Sequence, residues 1–254
     1  MHDLLNLNKY RAKDNLLAGK NILVTGAGDG IGSVMAQCYA QYGATVILLG
    51  RSEKKLEAVY DSIEAAGGAQ PAIVPFDLST TDEARYTELA QQIDDNIGSM
   101  HGLLHNAGQL GELKPLAQFN AEKFRHLLDV NFLSNFLLTK ALLPALNAAD
   151  NASIIFTASG VGRRPRAYWG AYSIAKAATE ALMQVWADEL ESTSHIRVNS
   201  LNPGATRTAM RAQAYPAEAP TSNPAAEDIT GAYLFLMADD SIGVNAQQLN
   251  ARPM

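Results

Sequence analysis

Cysteine is nearly missing from this chain: 254 residues contain one, Cys38. A single thiol excludes an internal disulfide framework and denies the protein the paired thiolates of a structural zinc site. Histidine is scarce too, and its five positions (2, 101, 105, 126 and 195) show no metal-ligand spacing, so no metal is expected. Basic charge is in short supply. Lys and Arg total 20 against 26 Asp and Glu, a net charge of -6, which argues against nucleic acid or an anionic membrane surface as a partner. No apolar run is long enough to span a bilayer. The first stretch, MHDLLNLNKYRAKDNLLAGK, lacks the apolar segment and cleavage site of a signal peptide, so a cytoplasmic protein is expected. Internal repeats are also lacking, and nothing in the composition marks a second domain.

What is present is a regular alternation. Short apolar, β-rich runs at 21–25, 45–49, 72–76, 102–105, 152–157 and 196–200 are separated by amphipathic segments at 31–42, 53–66, 82–97, 120–147 and 170–191. This order predicts an α/β fold: a doubly wound parallel sheet in three α/β/α layers, forming one domain over residues 19–254. Residues 1–18 are expected to form an N-terminal arm. Residues 205–225, rich in Ala, Pro and Thr, are a long irregular stretch of the kind that usually has a functional role.

The first strand runs into NILVTGAGDGIG, with glycines at 26, 28, 30 and 32, and then into a helical pattern. A strand, a glycine loop and a helix start are the Rossmann-type setting for a dinucleotide, because glycine lets the backbone approach a pyrophosphate and the helix start favours its charge. The common G-x-G-x-x-G spacing fails, since Ile31 occupies its last position; Thr25-Gly26-x-x-x-Gly30-x-Gly32 fits instead. No Asp or Glu closes the second strand. Arg51 stands there, followed by Lys54 and Lys55. A guanidinium grips a ribose 2′-phosphate where a carboxylate would repel it, so NADP(H) is expected over NAD(H).

Tyr172 and Lys176 lie four residues apart in WGAYSIAKAATEALMQ, on one face of the expected helix. An ammonium beside a phenol favours the phenolate, which makes a tyrosine usable as acid or base. Tyr168 is the rival, with no cation four residues on. By itself the pair also fits an ordinary helix with a half-buried ring and a solvated lysine.

These features together resemble the short-chain dehydrogenase/reductase family over about residues 18–250. The glycine loop is similar to its Thr-Gly-x-x-x-Gly-x-Gly signature, and Tyr172 with Lys176 to its Tyr-x-x-x-Lys. Asp77-Leu78, Asn106-Ala107-Gly108, Asn131, Ser159 and Pro203-Gly204 follow in the family's order, with Ser159 thirteen residues before Tyr172. The strand end ILLGR and the stretches VGR, WGAY and GATRTAMR resemble a bacterial oxidoreductase branch of it. The tail departs: AQQLNARPM replaces the usual apolar run ending in Val-Asp-Gly-Gly, although a last strand near Gln248–Asn250 is still expected.

The resemblance implies an oxidoreductase that transfers a hydride between a nicotinamide and a small-molecule carbonyl or alcohol substrate. Tyr172 would move the proton, Lys176 would lower its pKa, Ser159 would hold the substrate oxygen, and Asn131 would steady a water linking Lys176 to solvent. Cofactor contacts would come from Gly26, Gly28, Asp29, Gly30, Ile31, Gly32, Arg51, Asp77, Leu78, Asn106, Gly108, Tyr172, Lys176, Pro203, Gly204 and Thr206. Residues 205–225 resemble the family's substrate lid, and the two long helices its pairing surface, implying a homodimer or homotetramer. Two other readings share the fold: a non-catalytic NAD(P)-binding regulator, and a lyase or epimerase with retained cofactor. Arg163, Arg164, Arg166 and Arg207 are either solvated or recognise an acidic substrate group. Tyr168 and Trp169 either form an aromatic wall or anchor their loop.

Overall fold

The computed structural model describes residue 4 and residues 7–253. Seven strands form one sheet in the order β3-β2-β1-β4-β5-β6-β7, with every neighbouring pair parallel. They are β1 (Asn21–Thr25), β2 (Thr45–Gly50), β3 (Ala72–Pro75), β4 (Gly102–His105), β5 (Ala152–Thr157), β6 (Ile196–Asn202) and β7 (Gln248–Asn250). The central strands are buried along almost their whole length, as expected of a parallel sheet covered on both faces.

The period-2 pleat divides the core between the two faces. Ile22, Val24, Val46 and Leu48 pack under α1 (Gly30–Gln41) and α2 (Glu53–Ala65). Leu23, Ile47, Leu49 and Phe156 face the other way, towards α3 (Glu83–Asn96). Asp82 caps α3 by accepting from the Ala84 amide, and Asn120 caps α4 (Ala121–Leu128) through the amides of Glu122 and Lys123. The segment before β1 also contributes to the core: Leu7 and Leu17 are buried, and Tyr10 meets Phe235 edge-on at 5.4 Å.

The single long helix expected over 120–147 is three pieces: α4, a π-helical turn at Asp129–Leu133, and α5 (Ser134–Asn147). The expected helix over 170–191 is α7 (Gly170–Glu191), preceded by the short α6 (Gly160–Arg163). Residues 205–225 are less irregular than their composition implies, because α8 (Ala209–Ala214) forms within them, capped by the Thr208 hydroxyl on the Arg211 amide. The last helix, α9 (Thr230–Met237), is apolar all round and buried.

Strand order reverses between β2 and β4 on either side of β1, so the turns after these strands diverge and leave a crevice at their carboxyl ends.

Candidate active site

The crevice is a cavity of about 1310 Å³. Gly26, Asp77, Asn106, Ser159 and Pro203, each just beyond a strand end, all line it. The first turn is shaped by close packing. A Cβ on Gly26, where φ is +66°, would lie 2.9 Å from Ala107 Cα, and one on Gly32 would lie 2.2 Å from the Gly26 carbonyl oxygen. Glycine at both positions lets the loop fold onto the end of β4. The Thr25 hydroxyl fixes the same junction, donating to the Leu104 carbonyl and accepting from the amides of Asn106 and Ala107 at 2.9 and 3.0 Å.

Asp29 caps α1 by accepting from the Gly30 amide at 2.7 Å, and it pairs with Lys55. Asp29, Gly30, Ile31, Arg51, Leu78, Gly108, Gly204 and Thr206 all line the cavity. Two expected cofactor residues do not. Gly28 lies under Lys55, whose Cβ would be 2.8 Å from an added Cβ, and Gly32 sits beneath Gly26 and Asn106. Both glycines shape the loop through this close packing.

At the inner end, Ser159, Tyr172 and Lys176 come together. Ser159 immediately precedes α6, while Tyr172 and Lys176 share one face of α7. The α6 turn lies directly on α7: a Cβ on Gly162 would be 2.8 Å from that of Lys176. Tyr172 is almost wholly buried, with Ser159 beside its hydroxyl. Burial raises the Tyr172 pKa, and the neighbouring Ser159 hydroxyl is what acts downward. The expected depression by Lys176 is therefore absent from this arrangement, for a geometric reason. The ammonium donates instead to the Thr157 carbonyl at 2.7 Å. Burial pushes Lys176 down to about 8, opposed by the nearby Glu180 carboxylate.

Asn131 lies beneath the cavity wall, fully buried in the π-helical turn. Its side chain accepts from the Gln109 amide at 2.7 Å and donates to the Gln109 carbonyl at 2.8 Å, which fixes the loop after β4. Its own carbonyl accepts from Asn135 and from Thr179 on α7. The π-helical turn, a common feature of functional sites, thus links the β4 loop to the helix carrying Tyr172 and Lys176.

Two of the arginines considered for substrate contact have other roles. Arg163 turns inward to Glu180 at 2.6 Å, to the Asn250 side chain and the Leu249 carbonyl, both at 3.0 Å, and to Ser200. Arg207 bonds the Asn223 carbonyl and does not reach the cavity. Arg164 and Arg166 do line it. Trp169 is the aromatic wall, with its ring 5.9 Å from Tyr172 and 6.1 Å from Tyr215. Tyr168 is exposed, with φ +74°.

A family model for short chain dehydrogenases matches residues 20–219. The chain belongs to the short chain dehydrogenase family. Escherichia coli strain K12 has a relative described as the uncharacterized oxidoreductase YciK, 47% identical over 96% of this chain and 96% of its own length. A short chain dehydrogenase from Pseudomonas syringae superposes with a TM-score of 0.94 at 52% identity, covering 96% of this chain and 99% of that one. Another, from Shigella flexneri and complexed with NADP, gives 0.91 at 47% identity, covering 94% of this chain and 99% of that one. The branch suggested by ILLGR, VGR, WGAY and GATRTAMR is thus the one that contains YciK.

Some residues at this site of a family member went unforeseen. Asn250, Arg252 and Pro253 bring the divergent tail into the cavity wall. Glu180 gave a readable signal, standing four residues after Lys176 and hence on the same helix face. The approach of the tail depends on pairing with β6, which no local pattern encodes.

Proposed function

We propose that the protein is an NADP-dependent oxidoreductase that interconverts a carbonyl and an alcohol on a small molecule. The observation that carries this is the convergence of Ser159, Tyr172 and Lys176 on one cavity with the glycine loop and Arg51. The donor set suits a phosphorylated dinucleotide: first-turn amides of α1 without intrahelical acceptors, and a guanidinium rather than a carboxylate after β2. The relatives in complex with NADP and NADPH support the same choice. When bound, the nicotinamide supplies or accepts the hydride.

In this reading the Gly26–Gly32 loop and Thr206 hold the pyrophosphate, and Arg51 the 2′-phosphate. Asp77 and Leu78 border the adenine end, while Asn106, Gly108, Pro203 and Gly204 border the ribose and nicotinamide. Ser159 donates to the substrate oxygen, stabilising negative charge as it develops there. Burial keeps the Tyr172 phenol protonated at neutral pH, ready to give that oxygen a proton during reduction. Lys176, at about 8, is charged at neutral pH and near enough to its titration to relay the proton onward. The apolar wall of Leu110, Val161, Trp169 and Met210 around Tyr172 excludes water.

Tyr172→Phe is expected to abolish NADPH-dependent reduction of an accepted aldehyde, by at least ~100-fold, and to leave NADPH affinity nearly unchanged. Near-normal turnover by the variant would contradict the proton-transfer role.

A further inference from the structure

Six arginines line the cavity: 51, 163, 164, 166, 211 and 252. Three are committed within the fold or assigned to the cofactor. Arg163 is paired with Glu180, and Arg211 with Glu218 while lying 3.8 Å from the Tyr215 ring centroid. Arg51 follows β2, at the cofactor end. Arg164, Arg166 and Arg252 have no carboxylate within salt-bridge distance among the described residues.

The acids that line the same cavity do not balance them. Asp29 is paired with Lys55, and Glu112 with both Lys114 and Lys123. Asp77 follows β3, two strands away from β1 on the Arg51 side. A chain with a net charge of -6 therefore lines this cavity with positive charge that no carboxylate pairs.

Arg252 is held in place. Asn250 pairs with Asn202 in the β6–β7 ladder, and the Ala251 amide donates to the Asn202 carbonyl at 2.9 Å. Arg163 secures the same strand through Leu249 and Asn250. Beyond it, Arg252 donates to the Ala205 carbonyl at 2.6 Å, and its Nε lies 3.1 Å from where a Cβ on Gly204 would stand. A guanidinium has five N–H donors. One is used on this turn, and the side chain still lines the cavity. Arg164 and Arg166 are exposed on the loop between Ser159 and Tyr172. The apolar wall of Leu110, Val161, Trp169 and Met210 lines the same space.

We propose that the natural substrate is an amphipathic carbonyl compound carrying an oxyanion, a carboxylate or phosphate, which Arg252 binds with help from Arg164 and Arg166. This rests on the oxidoreductase reading above. The tail that departs from the family pattern is then a specificity element: its last residues supply the anchored guanidinium, and Arg163 holds that tail against α7.

The test compares 4-formylbenzoate, 4-formylphenyl phosphate and the neutral methyl 4-formylbenzoate. Binding to the NADP-saturated protein is measured by calorimetry, and NADPH-dependent reduction by kcat/KM. At least one charged aldehyde should be favoured over the ester by about tenfold or more, the size of one or two charge-assisted hydrogen bonds. Which one is favoured separates carboxylate from phosphate recognition. Arg252→Gln should reduce that preference, Arg252→Lys should keep part of it, and the variant with Gln at 164, 166 and 252 should lose it. Each variant's NADPH affinity reports whether the cofactor site is intact. No advantage for either charged aldehyde, or a preference that survives in the triple variant, would overturn the proposal. A wild-type protein that bound no NADPH would instead refute the oxidoreductase reading beneath it.

Discussion

The Lys176 ammonium is buried, hydrogen-bonded to one carbonyl, and faces Glu180 as the nearby opposite charge. Its folded-state pKa, about 8, lies below the ordinary 10.5, so between these values the unfolded chain binds the extra proton. Burying this charge therefore costs stability below about pH 8, and the cost fades as pH rises towards 10.5. Lys176→Met should be more stable relative to wild type at pH 7 than at pH 10, by up to ~3 kcal/mol. Urea unfolding of both proteins at the two pH values measures this difference. A wild-type-to-variant gap that did not change with pH would contradict the assignment. Tyr172 and Lys176 could be paired in the sequence because the helical period puts them on one face, while Ser159 entered only through the family resemblance. The direction taken by the ammonium was not, since it depends on a carbonyl at the end of a strand remote in sequence.

At the scale of elements, α6, α7 and β7 are joined by one buried ion pair. Arg163 and Glu180 lie 2.6 Å apart, largely buried, with Ser200, Asn250 and Leu249 completing their hydrogen bonds. Removing one partner leaves a charge buried without compensation. Arg163→Met should therefore destabilise the protein by about 3–5 kcal/mol, while the double variant Arg163→Met/Glu180→Met should recover much of the loss. Denaturant unfolding tests this, and faster amide exchange at Leu249 and Asn250 in the single variant would place the damage at β7. A double variant no more stable than the single one would exclude the clamp. The expected elements over 21–25, 102–105, 152–157 and 170–191 stand where periodicity placed them. The π-helical turn at Asp129–Leu133 did not show, because one extra residue barely disturbs a helical apolar stripe. Helix α8 was hidden by its short length and by the prolines that follow it.

At the scale of the molecule, the sheet order brings loops from distant parts of the chain to one crevice, and α8 roofs it. Gln213 donates to the Gly111 carbonyl, and Thr208 lies within 3.5 Å of the position a Cβ on Gly30 would take, so this segment spans from the β4 loop to the glycine loop. The α/β architecture was readable because the alternation of short apolar runs and amphipathic segments is a local signal. The substrate end was not, since a three-residue last strand and an inward-turned arginine shape it. The most direct test of the account is a titration of the purified protein with NADPH and with NADH, followed by nicotinamide fluorescence. The account predicts selective binding of NADPH and a loss of at least tenfold in its affinity on Arg51→Asp, about 1.4 kcal/mol or more. Equal affinity for the two cofactors, unaltered by Arg51→Asp, would contradict it.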